Sequence, residues 1–146
     1  MRLTIASAVL TLVLGGCASS ASNSSGPNVD IRLEQASGVP DMFYFRGPIN
    51  LQYRLTVANP TSTPLTLRRL DLRSMGPGAY SIRTGSTPIR QTIAPNATTS
   101  VTLSAWGQAT GGYLRSEEPV TLRGVAYFDT PDGHGFVRQF VETFRP

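Results

Sequence analysis

A single histidine, His134, and a single cysteine, Cys17, bound the chemistry open to this 146-residue chain. His134 sits in Asp132-Gly133-His134-Gly135. As a catalytic base it would pair with Asp129 or Asp132. A turn between glycines is wet and poorly held, so it cannot keep an imidazole within hydrogen-bond reach of a nucleophile. His134 therefore reads as an exposed turn residue. Ser104 and Ser116 as nucleophiles have no partner that the sequence specifies. Asp129, Asp132, Glu117 and Glu118 are potential oxygen ligands for calcium. The segment Asp129 to Gly133 lacks the later acidic positions of a helix-flanked calcium loop, and Asp-Gly is a common hairpin signal. One Cys with one His excludes an internal disulfide and a Cys/His zinc site. Gly76-Pro77-Gly78 and the glycines between 107 and 112 cradle no phosphate, because no Lys-Ser/Thr follows. No catalytic residue, metal or cofactor is expected, and the chain reads as a non-enzyme.

Charge offers a second kind of chemistry. The thirteen basic residues are all Arg, against nine acids, for a formal net charge of +4. They are scattered, with no basic tract that would mark a nucleic-acid surface. Arg68, Arg69 and Arg73 are the closest grouping. They read as a solvated strand face with edge protection, or as a patch for anionic lipid head groups or peptidoglycan carboxylates. Tyr44, Tyr53, Tyr80, Tyr113 and Trp106 read as core or core-edge residues rather than as a carbohydrate platform.

Cys17 belongs to a targeting segment. Met1-Arg2 supplies a positive charge, and Leu3 to Leu14 is apolar except for Thr4, Ser7 and Thr11. That run is too short to span about 30 Å of hydrocarbon and has the size of a signal-peptide core. Leu14-Gly15-Gly16-Cys17, followed by Ala18-Ser19-Ser20, resembles a bacterial lipobox. The resemblance implies cleavage between Gly16 and Cys17 and a lipid on the Cys17 thiol. It also implies membrane attachment through that anchor and, with Ala18 after the Cys, an outer membrane facing the periplasm. Two or more acyl chains anchor stably, at about 0.8 kcal/mol per buried methylene. The other readings of this segment are a secretory signal cleaved near Ala18-Ser19-Ser20 and a buried thiol in an N-terminal helix. Residues 1–16 are thus set apart as signal, and 17–28, small and polar, as a flexible tether. Eleven such residues, Ala18 to Asn28, span on the order of 18 Å. Loss of Arg2 with the signal leaves 12 Arg against 9 acids, a net charge of +3.

Residues 29–146 must position everything else. Ile49 to Val57 alternates without error, apolar at odd positions and polar at even ones, the period of a half-buried strand. It closes at Asn59-Pro60, since Pro donates nothing to a ladder. Leu65, Leu67, Leu70 and Leu72 form the next strand, and the slip at Arg68-Arg69 is the mark of a β-bulge. Further strands are expected at Val29–Leu33, Tyr80–Thr84, Pro88–Ile93, Thr98–Ala105, Val120–Phe128 and Phe136–Phe144. The last two form a hairpin about Pro131-Asp132-Gly133. Both faces of 136–144 are apolar, as in a central or covered strand. Trp106 to Arg115 reads as a loop with at most a short helical turn, because of Gly107, Gly111 and Gly112. With 14 Gly and 11 Pro as turn formers, seven or eight strands make an all-β fold, an immunoglobulin-like antiparallel β-sandwich.

Val57-Ala58-Asn59-Pro60 and Pro64-Leu65-Thr66-Leu67-Arg68-Arg69-Leu70 resemble the strand, Asn-Pro and strand opening of the LEA14/WHy domain. Ile93-Ala94-Pro95 before Thr98-Thr99-Ser100-Val101 is similar to its later proline turn. Val120 to Val125 is similar to its closing strand with a central Gly. The resemblance covers roughly 29–144, and the 106–118 segment and Phe43-Tyr44-Phe45 depart from it. It implies a sandwich often carried behind lipoprotein signals, associated with stress or desiccation and without a catalytic centre. Two functions are therefore expected. One is a lipid-anchored envelope module that binds or scaffolds an envelope protein partner or peptidoglycan, by strand addition for example. The other is a stress-associated protector of the envelope with no discrete site.

Overall fold

The computed structural model describes residues 26–37, 46–110 and 118–145. Gly16, Cys17, most of the Ser-rich segment, Tyr44, Tyr113, Ser116 and Glu117 lie outside the described residues. Eight strands follow in order: β1 (Asp30–Gln35), β2 (Arg46–Asn59), β3 (Leu65–Ser74), β4 (Tyr80–Ile82), β5 (Gly85–Ile93), β6 (Ala97–Thr110), β7 (Val120–Asp129) and β8 (Gly135–Phe144). They build two four-stranded antiparallel sheets, ordered β1-β2-β6-β4 and β5-β3-β7-β8. This is the all-β sandwich that the alternation predicts.

The inner faces follow from period 2. In β2, Ile49, Leu51, Tyr53, Leu55 and Val57 are buried, while Asn50, Gln52 and Arg54 are exposed. In β7, Val120, Leu122, Ala126 and Phe128 are buried on one face. Leu65, Leu67, Leu70 and Leu72 of β3 complete the opposing layer. Full burial of each such side chain contributes about 1.5–3 kcal/mol. β3 keeps its leucines inside only because its register shifts between Leu67 and Arg69 against both neighbours. Such a bulge sets two consecutive side chains on one side, and Arg68 and Arg69 are both exposed.

The Asn-Pro motif has a clear physical role. Asn59 is 1% exposed. Its amide nitrogen donates to the carbonyls of Thr63 at 2.8 Å, Ala94 at 3.1 Å and Ile93 at 3.3 Å. Its oxygen accepts from Thr61 N at 3.1 Å and Thr61 Oγ1 at 2.7 Å. One buried amide thus closes the β2–β3 turn and ties it to the end of β5. Leaving these groups unpaired would cost about 1–3 kcal/mol each.

Four expectations are corrected. The segment 106–110 is strand, not loop: β6 runs on to Thr110, and β4 pairs with Gly107 to Ala109. A Cβ at Gly107 would meet Leu51 Cδ1 and the Ser81 carbonyl at 3.0 Å each, so this glycine serves close strand packing rather than a turn. Trp106 is 63% exposed on the outer face, not core. It is paired with Asn50 and edges a cavity of about 210 Å³ beside Arg83 and Ser104. The expected strand Tyr80–Thr84 stops at Ile82. Finally, β8 is an edge strand, and Val141 on its outer face is 56% exposed. Its inner face alternates Phe136, Phe140 and Phe144 with Arg138 and Glu142, read from their pairing with the buried residues of β7. Charges pointing inward on an edge discourage further strand pairing.

Candidate functional site

The bulge in β3 builds a groove of about 510 Å³ across the outer face of the second sheet. Arg68, Arg69, Arg90, Tyr127, Asp129 and Val137 are among its lining residues. The register explains the convergence. Arg69 pairs with Pro88 on one side and Tyr127 on the other, and Tyr127 pairs with Val137. Between Leu67 and Arg69 the β3–β5 ladder skips Arg68 on one strand and Ile89 and Arg90 on the other.

Each arginine is held differently. Arg69 sits over Tyr127, its guanidinium carbon 3.8 Å from the ring centroid. Such contacts contribute about 0.5–1 kcal/mol at exposed sites. Arg69 Nε also lies 3.3 Å from Asp71 Oδ1. That oxygen is buried with no well-angled hydrogen-bond donor, so the contact is Coulombic. Arg68 Nη1 reaches Asp129, 3.3 Å from Oδ2 and 3.4 Å from Oδ1. Both partners are accessible, and such pairs contribute about 0–1 kcal/mol. Among the described residues, the Arg90 guanidinium has no hydrogen-bond or ion-pair partner. Its backbone sits at φ 57°, the left-handed region that a residue with a Cβ occupies at a cost of about 1–2 kcal/mol.

The three arginines singled out in the sequence therefore separate. Arg68 and Arg69 line the groove. Arg73 shares their strand but stands directly opposite Arg123 on β7, outside the groove lining. Arg90 takes its place, and sequence reasoning missed it. Its only signal was an Arg two residues after Pro88 in a short strand, where nothing announces a left-handed backbone.

The other chemistry stays apart. His134 is 85% exposed at its side chain, with Nε2 3.6 Å from Asp132 Oδ2. Thr130 Oγ1 donates to Asp132, and this bond, ahead of the neighbouring His134 charge, holds the Asp132 carboxyl below its usual range. Ser104 lies on the outer face of the other sheet, paired with Gln52. Among the described residues, no three of His, Cys, Asp or Glu gather closely enough to hold a metal ion.

The incoming chain is fixed at the groove's end of the sandwich. Arg138 of β8 donates to the carbonyls of Gly26 and Pro27, the latter at 2.6 Å. A Cβ on Gly26 would lie 2.6 Å from Phe136 Cγ, so only glycine passes here without displacing the ring. The last three residues set apart as tether thus include two that are bonded to the domain.

No protein-family model matches this chain, and no curated protein matches it in sequence. Solved structures do match in shape. A structural-genomics target solved by X-ray diffraction shares 13% identity at TM-score 0.50, over 81% of this chain and 83% of that one. A solution structure assigned to the late embryogenesis abundant (LEA) proteins shares 12% identity at TM-score 0.48, over 82% and 72%. The GAE domain of GGA2p from Saccharomyces cerevisiae shares 11% at TM-score 0.48, over 84% and 94%. At such identities the likeness is one of fold.

Proposed function

We infer that this chain is a lipid-anchored module of a bacterial cell envelope, held to the membrane through Cys17, that binds or scaffolds through its surface and catalyses nothing. The observation that carries the reading is the run Leu3 to Leu14 followed by Gly15-Gly16-Cys17 and then small polar residues. The thiol is the acyl acceptor, and the glycines let a peptidase take the backbone in extended form. Ala18 after Cys17 favours the outer membrane. The exposed imidazole of His134 speaks against acid–base work, since neither its position nor its water content is controlled.

A second reading has its own support. Met75, Trp106 and Val141 are the exposed large hydrophobics among the described residues. A surface that shows so few of them suits a stress-associated protector of the envelope better than a module that docks an apolar partner.

The test compares wild type, Cys17→Ser and His134→Ala in cells lacking the native gene, fed a radioactive fatty acid. Label should enter the wild type and His134→Ala but not Cys17→Ser, and only the labelled forms should rescue the deletion phenotype. Equal labelling of Cys17→Ser would overturn the anchor. Full rescue by Cys17→Ser together with loss in His134→Ala would overturn the non-catalytic reading.

A further inference from the structure

Three arginines line one groove, and the chain spends backbone strain to bring one of them there. Arg68, Arg69 and Arg90 line the groove with Asp129 as the acid among its lining residues, so the lining carries a positive excess. Asp129 engages Arg68, and Asp71 with Tyr127 fixes Arg69. Arg90 stays unpartnered among the described residues while its backbone is held at φ 57°. Glycine at that position would remove the strain. A strained non-glycine residue that contributes nothing to internal bonding is a mark of function. The planar, forked guanidinium suits the oxygens of a phosphate better than a point charge does.

The groove's location supplies the second argument. Val137 lines it, and its neighbours Phe136 and Arg138 grip Gly26 and Pro27. Gly26 lies nine residues after Cys17, a separation that even full extension limits to about 32 Å. An anchor at Cys17 therefore keeps this end of the sandwich within reach of the lipid head groups.

We propose that the groove formed by Arg68, Arg69 and Arg90 is a phosphate-binding site that takes the phosphate of anionic membrane lipids. Binding there would turn the anchored sandwich so that its second sheet faces the bilayer. The lipid source of the phosphate rests on the anchor reading; the groove's affinity for phosphate does not.

The test uses the full chain in neutral detergent micelles, either plain, doped with phosphatidylglycerol, or supplied with inorganic phosphate. Unfolding temperature reports binding, since a ligand of the folded state raises it by mass action. Wild type, Arg90→Gly, Arg68→Ala/Arg90→Gly, Cys17→Ser and Arg54→Ala are compared. Arg54 lies exposed on the other sheet and serves as the charge control. Doping should raise the wild-type unfolding temperature, and Arg54→Ala and Cys17→Ser should respond equally. Arg90→Gly should start roughly 2–5 °C higher, because strain is relieved, yet bind at least tenfold more weakly. The double variant should show no response. A response to inorganic phosphate alone would overturn the lipid assignment. Equal responses from Arg90→Gly and wild type, or from neither phosphate form, would overturn the site. The micelle assay reads the groove with or without an acyl chain on Cys17, whereas fatty-acid labelling of Cys17→Ser reads the anchor, so the two failures are told apart.

Discussion

Two phenols inside the sandwich form a chain that no strand pattern announces. Tyr53 and Tyr80 are both 0% exposed, and their hydroxyl oxygens are 3.0 Å apart. Tyr80 donates its proton to Gln35 Oε1 at 2.8 Å, so Tyr53 must donate to Tyr80. The Gln35 amide then donates to the Ser37 carbonyl at 2.8 Å. Burial, reinforced by the Tyr80 contact, pushes the Tyr53 phenol well above its usual 10.0. Burial likewise raises Tyr80, with the hydrogen bond from Tyr53 opposing in part. In the unfolded chain both ionise near pH 10, while the fold holds them neutral. The unfolded state thus binds fewer protons above that pH, and stability must fall as pH rises. Urea denaturation from pH 8 to 11 should show a flat midpoint up to about pH 10 and a steep decline beyond. Tyr53→Phe/Tyr80→Phe should remove most of the decline. A double variant as alkali-sensitive as wild type would refute the assignment.

Among elements, what was legible depended on whether a residue's type reported its packing. β2, β3 and β7 announce themselves because burial alternates with solvent, and the bulge at Arg68-Arg69 shows because Leu67 and Leu70 break the period. The end of β6 was lost because glycine signals both a turn and a close approach, and Gly107 is the second case. β8 misled for a related reason. Its phenylalanines look like those of a central strand, but Phe140 lies over Gly124 of the neighbouring strand, filling the place of a missing side chain. A Cβ on Gly124 would fall 2.1 Å from Phe140 Cζ. Gly124→Ala should therefore destabilise by about 1–3 kcal/mol. In a Phe140→Ala background the same change should be neutral or stabilising, since glycine in a strand is otherwise unfavourable by roughly 0.5–1 kcal/mol. Denaturation of the four proteins gives the coupling energy, and a value near zero would mean that the ring does not occupy the glycine's space. The Arg90 backbone was illegible for a third reason. Its conformation is imposed by two facing irregularities, and neither strand encodes it alone.

At the scale of the whole molecule, the end through which the chain arrives is also part of the fold. Val29 is a core residue at 7% exposure. Before it, Pro27 and Gly26 give their carbonyls to Arg138, and Gly26 lies against Phe136. β1 sits at the edge of one sheet and β8 at the edge of the other. The segment 26–29 is therefore a strap across an open side of the sandwich, where no ladder joins the two sheets. Such a strap ties the chain to Arg138 and Phe136 before it enters β1. A fragment of residues 26–146 should fold alone, with a far-ultraviolet circular dichroism spectrum of sheet and little helix. A fragment of residues 30–146 should have the same spectrum but a lower urea midpoint, corresponding to about 2–4 kcal/mol. That loss combines Val29 burial, near 1.5–3 kcal/mol at most, with hydrogen bonds from a charged donor. In the longer fragment, Arg138→Ala should reproduce only the hydrogen-bond share, and adding it to the shorter fragment should cost less than it does in the longer one. Equal midpoints for the two fragments would mean that residues 26–29 only touch the sandwich, and that the domain's stability begins at β1.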